Sequence, residues 1–397
     1  MKLSYDHFDY PGPRFLLHIM RNWEYGISGL LFGVLLGGAI SLVFNTQPTE
    51  DPVVQNHEPL AEPKQTITLA AGGDVIFGRY RGNRYITVGG DNPFEHLTES
   101  FNSADISFFN LETPLSERDP GRQYIARKRG ILFRGAPSKA KLIAESGVDV
   151  VSRGNNHAED CWAWGLNETT EHLNDFGIEQ VGVSKNGMDP FSPLQIQRDQ
   201  TKVIFFSFTM RRNLGLPKEG EKLLVAFSYD PDVLDEIPPR IEAIRKANPN
   251  ALILVSAHWG EEYRLEPNSL QRNLAHAIVD AGANAILGHH PHVLQPVERY
   301  NNGIILYSMG NLIFDQTALA QRETGVFSIT FQYEETWRIS EFGIQPLMLT
   351  GAKAGPREAT EEEADQILEP LIALSEQYNT RLVRTESGAA METEIVD

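Results

Sequence analysis

The chain has 397 residues, 41% of them hydrophobic, enough to bury a sizeable core as one large domain or two smaller ones. Its formal net charge of -18, from 35 basic and 53 acidic side chains, excludes a general phosphate-neutralising surface and with it nucleic-acid binding. A single cysteine, Cys161, cannot close an intrachain disulfide, so the fold must stand without one, and the lone thiol reads as buried and inert.

In chain order, residues 1–25 form an amino-terminal segment and residues 26–44 an uncharged apolar run, near the minimum for a membrane-spanning helix. The rival reading, a cleaved signal peptide, is disfavoured by the long upstream segment and the lack of an A-x-A site. Arg14 and Arg21 precede the run, while Glu50, Asp51, Glu58 and Glu62 follow it. The positive-inside rule therefore predicts a single-pass protein of the cell membrane, its amino terminus cytoplasmic and its main domain extracytoplasmic. Gly29, Gly33 and Gly37 recur at the four-residue spacing that lets two spans pack as a homodimer.

Residues 45–65, with Pro48, Pro52, Pro59 and Pro63, read as an extended linker. From residue 66, short apolar runs at 67–71, 106–109, 148–152, 203–208, 252–257, 285–287 and 304–308 are predicted strands. Amphipathic stretches at 138–146, 235–247 and 270–281 are predicted helices. This alternation predicts an α/β body with substantially parallel sheets over residues 66–352. Residues 353–397 are strongly acidic, with an apolar helical pattern that Pro370 interrupts, and are expected to form a docked helix followed by a frayed tail.

The groups able to do chemistry cluster directly after predicted strands: Asp74, then Asn110 and Glu112, then Asn155, Asn156 and His157, then His258, then His289, His290 and His292, then Asn311. Loops at the carboxyl ends of parallel strands converge on one sheet edge, so these residues can meet in space. Carboxylates, imidazoles and an amide oxygen without a thiolate cluster suit one or two divalent ions such as Mn, Zn or Fe. Arg79 and Arg134 are candidates for holding an anionic substrate.

The motifs GDVIFGR (73–79), NLETP (110–114), NNHAED (155–160), HWGEEY (258–263), GHHPHVLQPVE (288–298) and YSMGNLIFDQ (307–316) resemble, in this order, the CapA/PgsA family of capsule and poly-γ-glutamate synthesis proteins. The resemblance implies a metallophosphoesterase-like fold, two packed sheets flanked by helices, behind one membrane anchor. It also implies Asp74, Glu112, Asn156, His258, His290 and His292 as metal ligands and His157 as proton donor with Asp160 orienting it; Asn155, like Arg79 and Arg134, is a candidate for contact with the substrate. In two places the chain departs from the metallophosphoesterase pattern. Their opening D-x-H is here Asp74-Val75-Ile76, which leaves one metal position short of a ligand, and Glu112 stands where they carry aspartate. Two functional readings follow. One is a component of capsule or polyglutamate synthesis or export, working with other capsule-synthesis membrane proteins. The other is a metal-dependent hydrolase, a phosphoesterase or γ-glutamyl amide hydrolase, acting on an anionic polymer or phosphorylated envelope substrate.

Overall fold

The computed structural model describes residues 66–81, 84–121, 132–185, 187–215, 220–230, 232–351 and 355–392. The expected membrane segment and linker, residues 1–65, lie outside the described residues. Among the described residues no helix is long and apolar enough to cross a membrane.

The body is a mixed α/β fold built on two large sheets. In the first, β1 (Thr66–Val75), β4 (Ile106–Leu111), β5 (Val150–Ser152) and β6 (Glu179–Val181) run parallel, and the short β13 (Asn311–Ile313) joins the end of β1. In the second, β8 (Thr201–Thr209), β9 (Leu252–His258), β10 (Ala285–His289) and β12 (Gly303–Leu306) run parallel. Antiparallel β7 (Leu194–Arg198) and β11 (Val297–Tyr300) lie at its margins. A ribbon of β2 (Gly78–Arg81) and β3 (Arg84–Thr87) stands apart from both.

Strand periodicity explains why the sheets stack. Successive side chains of a strand point to opposite faces, so a strand apolar at every position must be covered on both sides. Ile67, Leu69 and Ala71 of β1 and Ile106 and Phe108 of β4 share one apolar cluster with Val203 and Phe205 of β8 and Leu252 and Leu254 of β9. That cluster is the inter-sheet core, in which Phe108 and Phe205 stack with ring centroids 5.7 Å apart. Residues of opposite parity, Ala70, Phe109 and Leu111, instead meet Phe101, Ala140 and Ile143 of the helices Thr98–Ser103 and Lys139–Glu145. On the far side Ile204, Phe206, Ile253 and Val255 meet Ile237, Ile241, Leu274 and Ile278 of the helices Val233–Ala247 and Ser269–Asp280. The layers therefore run helix, sheet, sheet, helix.

Two expectations need correction. The first sheet is only half parallel: β14 (Glu323–Tyr333) and β15 (Trp337–Leu349) form a long antiparallel hairpin on β1. The carboxyl terminus is also not frayed as far as residue 391. The helix Glu361–Glu376 continues past Pro370, held by burial of Ile367, Leu368 and Leu371 in the inter-sheet core. Beyond it β17 (Leu382–Thr385) and β18 (Gly388–Met391) pair with each other and β18 pairs with β15, so residues expected to be a tail extend the sheet, as does β16 (Pro356–Glu358) on β15.

Candidate metal centre

The parallel strands of both sheets end at one edge, and their last residues form a buried polar cluster. Asp74, at the end of β1, is fully buried. Asn110 Nδ2 donates to its Oδ1 at 2.8 Å, and the His290 backbone N–H donates to its Oδ2 at 3.1 Å. The Nδ1 atoms of His289 and His292 lie 3.2 and 3.3 Å from its two oxygens. Burial pushes the Asp74 carboxyl up, but the bonds and charges of these two imidazoles outweigh it and hold the group well below the usual carboxylate range. The close approach requires glycine: a Cβ on Gly73 would sit 2.1 Å from the Gly310 carbonyl oxygen, and one on Gly288 2.1 Å from that of Tyr307.

Glu112 is the anomaly. It is fully buried, and neither carboxylate oxygen has a hydrogen-bond partner. Its nearest basic atoms are Nε2 of His258 at 3.6 Å and Nε2 of His157 at 3.9 Å. Burial, then the negative charges of Asp74 and Glu262, push its carboxyl well above the usual range. Leaving a buried carboxylate unpaired costs several kcal/mol, so the site is arranged either to keep a proton there or to receive a cation.

The imidazoles favour the cation. Burial, then the charge of His290, holds His258 well below its ordinary pKa, and burial, then His292, does the same to His290. Both rings are therefore neutral, the state in which imidazole binds a metal. His290 Nδ1 is buried without a partner, while His258 Nε2 meets Asn156 Oδ1 at 2.8 Å. His292 Nδ1 lies 2.9 Å from Asn311 Oδ1, which orients the ring. His290 and His292 both adopt left-handed backbone conformations, φ 96° and 58°, a strain of about 1–3 kcal/mol each that the surrounding contacts maintain. Three sets of ligand atoms lie within 4.8 Å of one another: Glu112 with His258 and His290, Asp74 with Glu112 and His292, and Glu262 with His290 and His292. Orphaned carboxylate oxygens facing neutral imidazoles fit a divalent ion.

Around this cluster, His157 Nδ1 lies 2.6 Å from Asp160 Oδ2, which also accepts the Phe133 N–H at 2.7 Å. Phe133 stacks on the His157 ring at 3.9 Å. Arg79 lies over the rings of Phe133 and Phe314, at 4.8 and 5.4 Å, with its Nε 3.1 Å from Asp315. Its charge acts on Glu112.

Two residues expected beside the substrate have their side chains engaged within the protein. Asn155 is buried, and its amide is used internally: Nδ2 donates to Asn110 Oδ1 and the Leu111 carbonyl, while Oδ1 accepts the His157 N–H. It braces the loop. Arg134 lies over the Tyr85 ring at 3.9 Å and donates to the Glu117 carbonyl, contacts that hold the ribbon side of the structure. Residues outside the sequence-based assignment also reach the cluster. His289, Asn110 and Asn311 were marked by their positions after strands. Glu262 lies within the HWGEEY motif but was not singled out as a ligand. Asn213, whose amide nitrogen lies 3.4 Å from His157 Nδ1, and Arg211, whose charge acts on His290, come from a loop after β8 with no motif to announce them. Cys161 is fully buried, and burial, with Asp160 nearby, pushes its thiol well up, the state of an unreactive cysteine.

Fold and cluster together define a two-sheet α/β protein with a carboxylate, imidazole and amide site where both sheets end. The chain belongs to the bacterial capsule synthesis protein PGA_cap family, whose model matches residues 68–316. It is 32% identical over 267 residues to the capsule biosynthesis protein CapA of Bacillus anthracis, covering 66% of this chain and 64% of that one, under two thirds of the relative's length. It is 30% identical over 286 residues to the PGA biosynthesis protein CapA of Bacillus subtilis, covering 72% of each. Among solved structures, the NAD nucleotidase of Haemophilus influenzae shares 12% identity at a TM-score of 0.45, over 78% of this chain and 62% of that one.

Proposed function

We propose that this protein serves capsule or poly-γ-glutamate synthesis or export as a metal-dependent hydrolase or transferase of metallophosphoesterase type, acting on an anionic polymer or phosphorylated envelope substrate outside the membrane. The observation that carries this reading is Glu112, a buried carboxylate without a hydrogen-bond partner beside neutral imidazoles. Asp74, Glu112, Asn156, His258, His290 and His292 would hold one or two ions. A bound divalent cation supplies Lewis acidity to a phosphoryl or carbonyl oxygen. His157, oriented through Nδ1 by Asp160, presents Nε2 toward the cluster, where it delivers a proton to a leaving group. Arg79, fixed by two aromatic rings and Asp315, offers its guanidinium to an anionic group. This local positive charge opposes the -18 of the whole chain, which would otherwise repel a polyanion.

His157→Ala tests the reading. Turnover of a model phosphodiester or γ-glutamyl substrate should fall about 10²- to 10⁴-fold with the bound metal unchanged. Full activity in the purified variant would remove His157 from the chemistry. A second reading, polymer binding without turnover, draws on Ile76. This residue occupies the position of the missing motif-one histidine and is buried in the apolar cluster beneath the first sheet, where it offers no ligand. It predicts no turnover by either protein, and association with other capsule-synthesis membrane proteins that survives His157→Ala.

A further inference from the structure

The metal reading leaves one position short of a ligand on the His292 side, because Asp74 is followed by apolar Val75 and Ile76, both buried in the core. A carboxylate from a different segment lies there. The loop after β9 runs beside the loop after β10 and is fastened to it at two points. Trp259 N–H donates to the His289 carbonyl at 3.1 Å, and Tyr263 N–H donates to the Pro291 carbonyl at 2.8 Å. Between these ties the chain turns through left-handed Gly260, φ 79°, and Tyr263 is itself left-handed, φ 65°. The Arg211 guanidinium donates to the Gly260 carbonyl at 2.8 Å, and Gln316 Nε2 donates to the Tyr263 hydroxyl at 3.3 Å. This bracing sets Glu262 with ligand atoms of His290 and His292 all within 4.8 Å of one another. His290, nine-tenths buried and more, has an Nδ1 without a hydrogen-bond partner.

We propose that Glu262 is a metal ligand that replaces the absent motif-one histidine, closing the His292 side of the cluster and making a second ion position tenable. The proposal rests on the metal reading above and goes beyond it. Asp74 and Glu112 hold the buried side of the centre, and Glu262, exposed to solvent, forms its outer wall. A carboxylate suits this place chemically, since hard oxygen donors keep affinity for Mn²⁺ where an imidazole is lost. An outer ligand on a loop can also leave when substrate oxygens arrive, whereas a buried one cannot.

The test is a Mn²⁺ titration of the chelator-stripped full chain, followed by electron paramagnetic resonance, in wild type, Glu262→Gln and Glu262→Ala. Glu262 is exposed, so neither change removes packing, and circular dichroism verifies the fold. Wild type should bind two ions with a spin-coupled signal. The variants should keep one tight ion, lose the coupled signal and bind the second at least about 10-fold more weakly. Two ions bound with unchanged affinity in the variants would overturn the role of Glu262 and leave the metal reading standing. A single ion in wild type would support the role only if the variants loosened it, and equal binding would end it. No ion in wild type would remove the metal reading and this inference together.

Discussion

Replacing Glu112 by glutamine keeps the shape of the side chain and removes one buried ionisable group that has no hydrogen-bond partner. A carboxyl whose pKa is higher in the folded than in the unfolded state keeps its proton longer when folded. Between the two values the unfolded state binds fewer protons, so stability falls as pH rises. For Glu112 that loss begins near the ordinary value of 4.5 and continues up to the raised one. Its steepest slope is about 1.4 kcal/mol per pH unit, equivalent to roughly 2 °C of Tm per unit in a body of more than 300 residues. Asp74, held low, contributes with the opposite sign, its stabilisation disappearing as pH falls, and both proteins carry it. Melting curves of metal-stripped wild type and Glu112→Gln between pH 5 and pH 8 should therefore diverge, the variant gaining on wild type as pH rises. Adding Mn²⁺ or Zn²⁺ at pH 8 should reverse the order, raising the Tm of wild type and leaving the variant nearly unmoved. Parallel melting curves without metal would refute the account of Glu112 as an unpaired buried carboxyl. An equal metal-induced rise in both proteins would refute its place among the ligands.

Arg79→Ala should raise KM for an anionic substrate about 10-fold or more with metal content unchanged, and Arg79→Lys should recover only part of it, because an ammonium cannot lie flat between Phe133 and Phe314. Steady-state kinetics on both variants checks this. Gly388→Ala would place a Cβ 1.8 Å from the Ile344 carbonyl oxygen, so β18 should part from β15 at a cost of about 1–3 kcal/mol. Hydrogen exchange would show the carboxyl-terminal hairpin opening while the amides of β1 and β9 stay protected.

The parallel halves of the two sheets were legible because strands covered on both faces are written as unbroken apolar runs. The run at 203–208 lies within Thr201–Thr209 and that at 252–257 within Leu252–His258. The hairpin of β14 and β15 was not, although it is the longest among the described residues. Its strands mix buried and exposed positions, a bulge near Thr330 shifts its register, and Gly325, Gly343 and Pro346 dilute the β signal. The helix Trp162–Asp175 was also missed, because buried Gly165 and Thr169, poor helix formers, sit on its packed face. At the site, position after a strand pointed to the residues that meet, from Asp74 to Asn311. It could not separate residues facing the cluster from those bracing it, since Asn155 and Asn156 are neighbours in sequence and differ only in where their amides turn. Asn213 and Arg211 arrive by tertiary packing alone, and no local pattern marks them.

Because Asp74 and Glu112 come from one sheet while His258 and His290 come from the other, the geometry of the cluster is only as exact as the seating of the two sheets. Phe108 makes that seating tangible: its ring lies against Phe205 across the interface and 5.8 Å from the His289 ring, next to the Asp74 carboxylate. A methylene gained or lost there would slide one half of the site past the other without touching a polar atom. Apolar positions in the middle of the molecule thus act as the hinge pins of its chemistry.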